Sequence, residues 1–407
     1  MSKKYVTRLA TVIRTISAGF SKRLRESLRL NSRIGLRNKT VCTFLTVVLF
    51  SASLSGCSEN NPSIEKGVSV GNTKKIKIGF SMGTLQEERW QRDRDIFVAK
   101  ANELGAEVIV QNANNSSDDQ YSQVKYLLEQ DIDILAVVPH DAISASSIVQ
   151  LAKKEGVKVI SYDRLVKNAG VDVYISFDNV KVGELMAEYT IEKVPKGNYV
   201  IINGAKTDNN TSLFNKGYKK ILDPYVEKGD IDIVSEIWAE DWVPEEAYKC
   251  IEQTLKKGER IDAVIAGNDT LAASAIQALA ERRLAGKVAV AGHDADLAGC
   301  QRVVEGTQHM TIYKPIDIIA QSAAVIAVQL AKGQDILCNS KINDGKYDIP
   351  YYMIKPIAVT RENIVETVIQ DGFHKLEDVF RNVPKSQWPK EQWDREIYGE
   401  ENAVDKQ

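Results

Sequence analysis

From Lys75 onward, short runs rich in β-branched and aliphatic residues alternate with longer stretches whose apolar positions recur every three or four residues. KIKIGF, AEVIVQNA, DILAVVPH, VKVISYD and VYISFD form a first series of predicted strands. Helical stretches such as DQYSQVKYLLEQ and SASSIVQLAKKEG lie between the first four, and Gly105 and Gly156 punctuate helix ends. A second series follows in NYVIING, IDIVSEIW, IDAVIAGND, KVAVAGHD and HMTIYKP. Its helices include TSLFNKGYKKILDPYVEKG, PEEAYKCIEQTLKKG and TLAASAIQALAERRL. Alternating strands and helices predict an α/β protein, and two such series predict two similar doubly wound, parallel-sheet lobes. The length of 407 residues also exceeds what one core usually holds.

Ahead of the lobes the pattern changes. Residues 1–56 carry eleven Lys/Arg and one acid, Glu26, which leaves 42 basic against 54 acidic residues in the remainder. A body that acidic repels phosphate, so nucleic acid is not an expected partner. The apolar run Val41–Leu54 is short for a bilayer span, and with its basic approach it reads as a secretory leader. Leu54-Ser55-Gly56-Cys57 resembles the lipobox of bacterial lipoproteins, in which the cysteine is lipidated and becomes the first mature residue. The leader is then 1–56, and the polar stretch 57–74 is a tether holding a water-soluble body at a membrane. Cys42 leaves with such a leader. Cys250, Cys300 and Cys338 form no CxxC or Cys-His pattern and are expected to be buried thiols.

Ligands of open parallel sheets bind outside the carboxyl ends of the strands. Those positions hold Glu88, Arg89 and Trp90; Asp163 and Arg164; Asp178 and Asn179; Asp208, Asn209 and Asn210; Trp238, Glu240, Asp241 and Trp242; Asn268 and Asp269; His293, Asp294 and Asp296; and Lys314. Carboxylate, amide and guanidinium groups offer paired hydrogen bonds of fixed geometry, which suit the hydroxyls of a sugar ring. Tryptophan faces cover the ring's C–H surfaces. No βα turn opens with GxGxxG or GxxxxGK[ST], so nucleotide binding lacks its usual signal. Several of these residues have plainer uses. Arg92, Asp93, Arg94 and Asp95 read as a solvated helix face, Asp269 as a helix N-cap, and Asp178 and Asn179 as caps. His293, Asp294 and Asp296 have turn-like spacing, so no metal is expected, and no cofactor is implied.

The runs ERWQRDRDIFV, YDRL, YISFDN, TDNN, AEDW, GND, DADLAG, GTQ, YKPI and VIQDGFHK, in this order, resemble the D-xylose-binding proteins of ABC sugar transporters. That family belongs to the type I periplasmic-binding-protein superfamily. The resemblance spans about Lys75 to Lys375 and implies two α/β lobes joined by three crossovers near Lys181, Tyr313 and Tyr347. It assigns 75–181 plus 314–347 to the first lobe, 182–313 plus 348–380 to the second, and leaves 381–407 as a C-terminal extension. It also implies that Arg89, Trp90, Asp163, Arg164, Asn210, Trp242, Asn268, Asp294 and Lys314 bind the sugar.

The expectation is a binder without chemistry: lobes closing on D-xylose or a related monosaccharide, read by an ABC permease or a membrane sensor kinase. A repressor needs an N-terminal DNA-binding helix pair, but the basic leader runs straight into the secretory core. An enzyme needs a free acid–base pair, and Arg89, Arg164 and Lys314 are at hand to neutralise Asp163 and Asp294. The extension, with Trp388 and Trp393 among charges, is expected to be a solvated segment anchored by those rings.

Overall fold

Strands whose every residue is apolar need cover on both faces, and β3 (Ile134–Val138) and β8 (Ala263–Ala266) are buried along their whole length. Each sits centrally in one of two sheets. In the first, β1 (Lys77–Met82), β2 (Glu107–Asn112), β3, β4 (Lys158–Tyr162) and β5 (Val173–Phe177) run parallel. β12 (Asp348–Ile354) and β11 (Ser340–Asn343) extend its edge, giving the order β11-β12-β5-β4-β3-β1-β2. The second sheet places β7 (Ile231–Trp238), β6 (Gly197–Asn203), β8 and β9 (Ala289–Ala291) in parallel. A short antiparallel pair, β10 (Thr311–Tyr313) with β13 (Ile357–Val359), adjoins it through a bridge between Ala291 and Met310. This computed structural model describes residues 74–389, which all fall in one compact unit. The predicted leader, Cys57, nearly all of the tether and the end of the extension lie outside the described residues.

Helices α1 (Glu88–Glu103), α2 (Ser117–Glu129) and α3 (Ser146–Lys154) flank the first sheet, and α9 (Ile316–Ala331) packs beside α1. Helices α4 (Asn179–Lys193), α5 (Asn209–Glu227), α6 (Pro244–Lys256), α7 (Asp269–Glu281) and α8 (Leu297–Glu305) surround the second. Side-chain caps start several of them: Ser116 accepts from Asp119 N, Asp178 from Lys181 N, Asp208 from Asn210 N and Asn268 from Leu271 N. Each such cap contributes about 1 kcal/mol. Helices α4 and α5 cross at Gly183 and Gly217, where any Cβ would strike the opposing backbone at Phe214 or Val180.

The chain passes between the lobes at Asp178, at Lys314-Pro315 and at Lys355-Pro356. The last differs from the expected position near Tyr347. β12 pairs with β5 in parallel, Tyr351 opposite Tyr174, so residues 348–354 belong to the first lobe. Two further expectations are corrected. Asp93 is fully buried instead of solvated, because Tyr162 and Arg89 close over it. Asp269 is not the cap of α7; Asn268 is, and Asp269 is buried as an acceptor for Thr311 and Gln308. Of the extension, residues 381–389 are described and mostly exposed, as expected: Val383 is buried and Trp388 packs against the core that Val379 and Phe380 share with Cys300 and Val304. Cys250 and Cys300 are buried free thiols, while Cys338 is half-buried and free.

Candidate functional site

The carboxyl ends of both sheets face one narrow gap. All nine residues singled out in the sequence line it: Arg89, Trp90, Asp163, Arg164 and Lys314 from the first lobe and the second crossover, and Asn210, Trp242, Asn268 and Asp294 from the second lobe. Glu87, Asp208, Phe214 and His293 complete the lining. Asp208 and His293 stand at strand ends and were legible there. Phe214 lies one turn into α5 and carries no such signal.

Arg89 is the hub of the charged network. Its Nη2 donates to Asp163 Oδ2 at 2.8 Å, its Nε to Asp93 Oδ2 at 3.2 Å, and its Nη1 lies 3.5 Å from Asp294 Oδ1. The first two partners belong to its own lobe and the third to the other. Arg164 pairs with Asp208 at 2.8 Å, also across the gap, while the other oxygen of Asp208 caps α5. Lys314 Nζ stands 2.7 Å from Asp294 Oδ1. Asn210 reaches back to the first lobe, donating to the carboxylate and carbonyl of Asp163 at 3.2 and 3.1 Å. That carbonyl is further held by Tyr174 and Ser176 hydroxyls at 2.8 and 2.6 Å. The lobes also touch at the rim, where Ala142 N donates to Thr207 O at 2.9 Å. The arrangement is therefore closed.

Burial presses Asp163 upward, but Arg89, Lys314 and Arg164 outweigh it and hold the carboxylate below its usual range. Burial likewise opposes the charge on Asp294, and the cations Lys314 and Arg89 overcome it. Asp93, deeper and with fewer cations, is pushed by burial up to about 6, with Arg89 drawing it back. Burial drops His293 to about 3, so its ring is neutral near pH 7. Three cations, Arg89, Arg164 and Lys314, thus face four carboxylates, Asp93, Asp163, Asp208 and Asp294. With Glu87, which also lines the gap, the carboxylates outnumber the cations by two.

The apolar walls are rings. The Arg89 guanidinium lies 4.2 Å and that of Arg164 5.2 Å from the Trp90 ring centroid, fixing the indole plane. On the other side His293 packs 4.7 Å from Phe214 and 6.4 Å from Trp242. Trp242 fills the space left by Gly204, where a Cβ would collide with the indole. Asp163, Trp242 and Asp294 have φ of 57°, 61° and 97°, values that non-glycine residues seldom adopt. Such backbone is held where the surroundings over-determine it. Among the described residues, the buried atoms Glu87 Oε2, Trp90 Nε1, Trp242 Nε1 and His293 Nδ1 lack a hydrogen-bond partner, and all four belong to the lining. Asn268 spends its Oδ1 on capping α7, so its amide nitrogen is the group left for the gap. No group of three or more His, Cys, Asp or Glu among the described residues is arranged to hold a metal ion.

Two parallel-sheet lobes, three connections and a polar, indole-walled gap between them define a two-lobed binding protein. The family model described as a periplasmic binding protein domain matches residues 78–335, and the chain belongs to that family. It is 48% identical over 305 residues to the D-xylose-binding periplasmic protein of Escherichia coli, covering 75% of this chain and 92% of that protein. The Haemophilus influenzae protein of the same name is 47% identical over 313 residues, covering 77% and 94%. Among solved structures, a carbohydrate transporter solute binding protein from Chloroflexus aurantiacus, in complex with D-glucose, superposes with a TM-score of 0.71 at 27% identity. That match covers 75% of this chain and 98% of the other.

Proposed function

We propose that this chain is an extracytoplasmic solute-binding protein that captures D-xylose between its lobes and delivers it to an ABC permease. The observation that carries the reading is the gap itself. Nine side chains from both lobes converge on it, and with Glu87, Asp208 and Asp93 beside them the carboxylates outnumber the cations, so it favours a neutral polyhydroxylated ligand over an anion such as a phosphate. Arg89, Arg164, Asp163, Asp294, Asn210, Asn268 and Lys314 supply hydrogen bonds to ring hydroxyls, and Trp90 and Trp242 cover the ring faces. The relatives named for D-xylose binding support the choice of pentose. Sugar touching both lobes favours the closed arrangement, and the permease reads closure. No bond is made or broken, and the protein is not an enzyme. Lipidation at Cys57 anchors it to the membrane from outside the cytoplasm; a Cys57→Ala variant then moves from the membrane to the soluble envelope fraction.

Calorimetric titration against a panel of pentoses and hexoses, with the sugar recovered and checked by NMR, tests the proposal. One site per chain, D-xylose bound tightest and returned unchanged is the expected result. A flat titration for every sugar, or a chemically altered product, overturns it.

A further inference from the structure

Near the end of the body, the turn Asp371–His374 lies outside the gap, yet it touches the neighbours of three residues that line it. Arg92, one turn after Arg89 on α1, donates from Nη1 to the carbonyl of Phe373 at 2.8 Å, and its guanidinium lies 4.3 Å from the Phe373 ring centroid. His374 donates from Nε2 to the carbonyl of Ala295 at 2.8 Å, next to Asp294. Tyr313, next to Lys314, donates its hydroxyl to Asp371 and packs its ring 4.8 Å from Phe373. Gly372 turns the chain with φ of 74°. Phe373 is buried in the core that holds Ala295, Tyr313 and Ile316, and Ile96 of α1 packs against that core from the first lobe.

We infer that the Asp371–His374 turn is a clamp that positions Arg89, Asp294 and Lys314 and, through Arg92 and Phe373, ties the first lobe to the second in the closed arrangement. The inference rests on the sugar-binding reading and deepens it. A charged hydrogen bond and a cation–π contact that cross between lobes stabilise closure without touching a ligand. Escape of the sugar requires opening, so loss of the tie is felt in the dissociation rate. Arg92 and His374 act as positioning residues.

Stopped-flow tryptophan fluorescence with D-xylose on the wild type and on the Arg92→Met, Arg92→Lys and His374→Ala variants tests the clamp. Arg92→Met is expected to release sugar about tenfold faster with association little changed. Arg92→Lys, which keeps a cation within reach of the Phe373 carbonyl, recovers part of the loss. A merely structural role lowers the melting temperature of the sugar-free protein and leaves dissociation unchanged. Wild-type dissociation rates in both Arg92→Met and His374→Ala overturn the clamp alone. Absence of pentose binding by the wild type overturns the sugar reading, and the clamp with it.

Discussion

Arg89 and Asp294 stand 3.5 Å apart across the gap, one on the first helix of the first lobe and the other past β9 in the second. Arg89 is also held within its own lobe by Asp93 and Asp163, and Asp294 by Lys314 of the second crossover. Arg89 is therefore oriented within the first lobe before any ligand arrives, and that part of the cost of ordering long side chains is met during folding instead of during binding. Pairing with opposite charges keeps these ions inside a buried site.

Arg89 and Arg164 differ in how many partners depend on them. Arg89→Met leaves buried Asp93 without its cation and deprives Asp163 of its direct partner, and is expected to destabilise the protein by about 3–5 kcal/mol. Arg164→Met strands only Asp208, which retains its cap hydrogen bond, and should cost less. Chemical denaturation ranks the two. Equal losses would contradict the hub role of Arg89.

Gly204→Ala places a methyl group where the Trp242 indole sits. The ring must move, removing one wall of the gap while the sheets stay intact. Sugar affinity is expected to fall about tenfold or more, with an unchanged far-ultraviolet circular dichroism spectrum. Unchanged affinity would remove Trp242 from the site.

His309 supplies a pH dependence far from the gap. Burial lowers its folded-state value to about 4, against 6.5 in an unfolded chain. Above 6.5 both states are neutral and stability is full. As pH falls toward 4 the unfolded chain takes up a proton that the fold refuses, so stability is lost, up to about 3 kcal/mol. His309→Gln should therefore melt closer to the wild type, or above it, at about pH 5 than at about pH 7.5. A melting-temperature difference that does not move with pH would contradict the assignment.

Ending the chain after Lys375 removes the buried side chains of Leu376, Val379, Phe380 and Val383 and uncovers the core beneath them. The expected loss is on the order of 5 kcal/mol, seen as a lower denaturation midpoint. A truncated protein as stable as the full chain would contradict the burial of these side chains.

Most of the strands were legible because they are largely apolar runs ending in a polar residue, and the same rule drew Asp163, Asn210, Asn268 and Asp294 to one edge. The hidden parts depend on contacts distant in sequence. Asp93 sits in an alternation of charges that looks like a surface, and only Tyr162, 69 residues away, closes over it. β12 contains Pro350, which reads as a strand breaker, yet its pairing with β5 begins only at the next residue, Tyr351, so the proline sits where that ladder has not started. The tail's apolar residues are sparse, and their burial follows from the face of α8 that receives them.

Diffraction from crystals grown with D-xylose tests the two-lobe clamp most directly. Density for a single pentose ring between Trp90 and Trp242, within hydrogen-bonding distance of Arg89, Asp163, Asn268 and Asp294, is the expected outcome. A pentose seated elsewhere on the molecule, or a gap that stays closed and unchanged at saturating sugar, would contradict it.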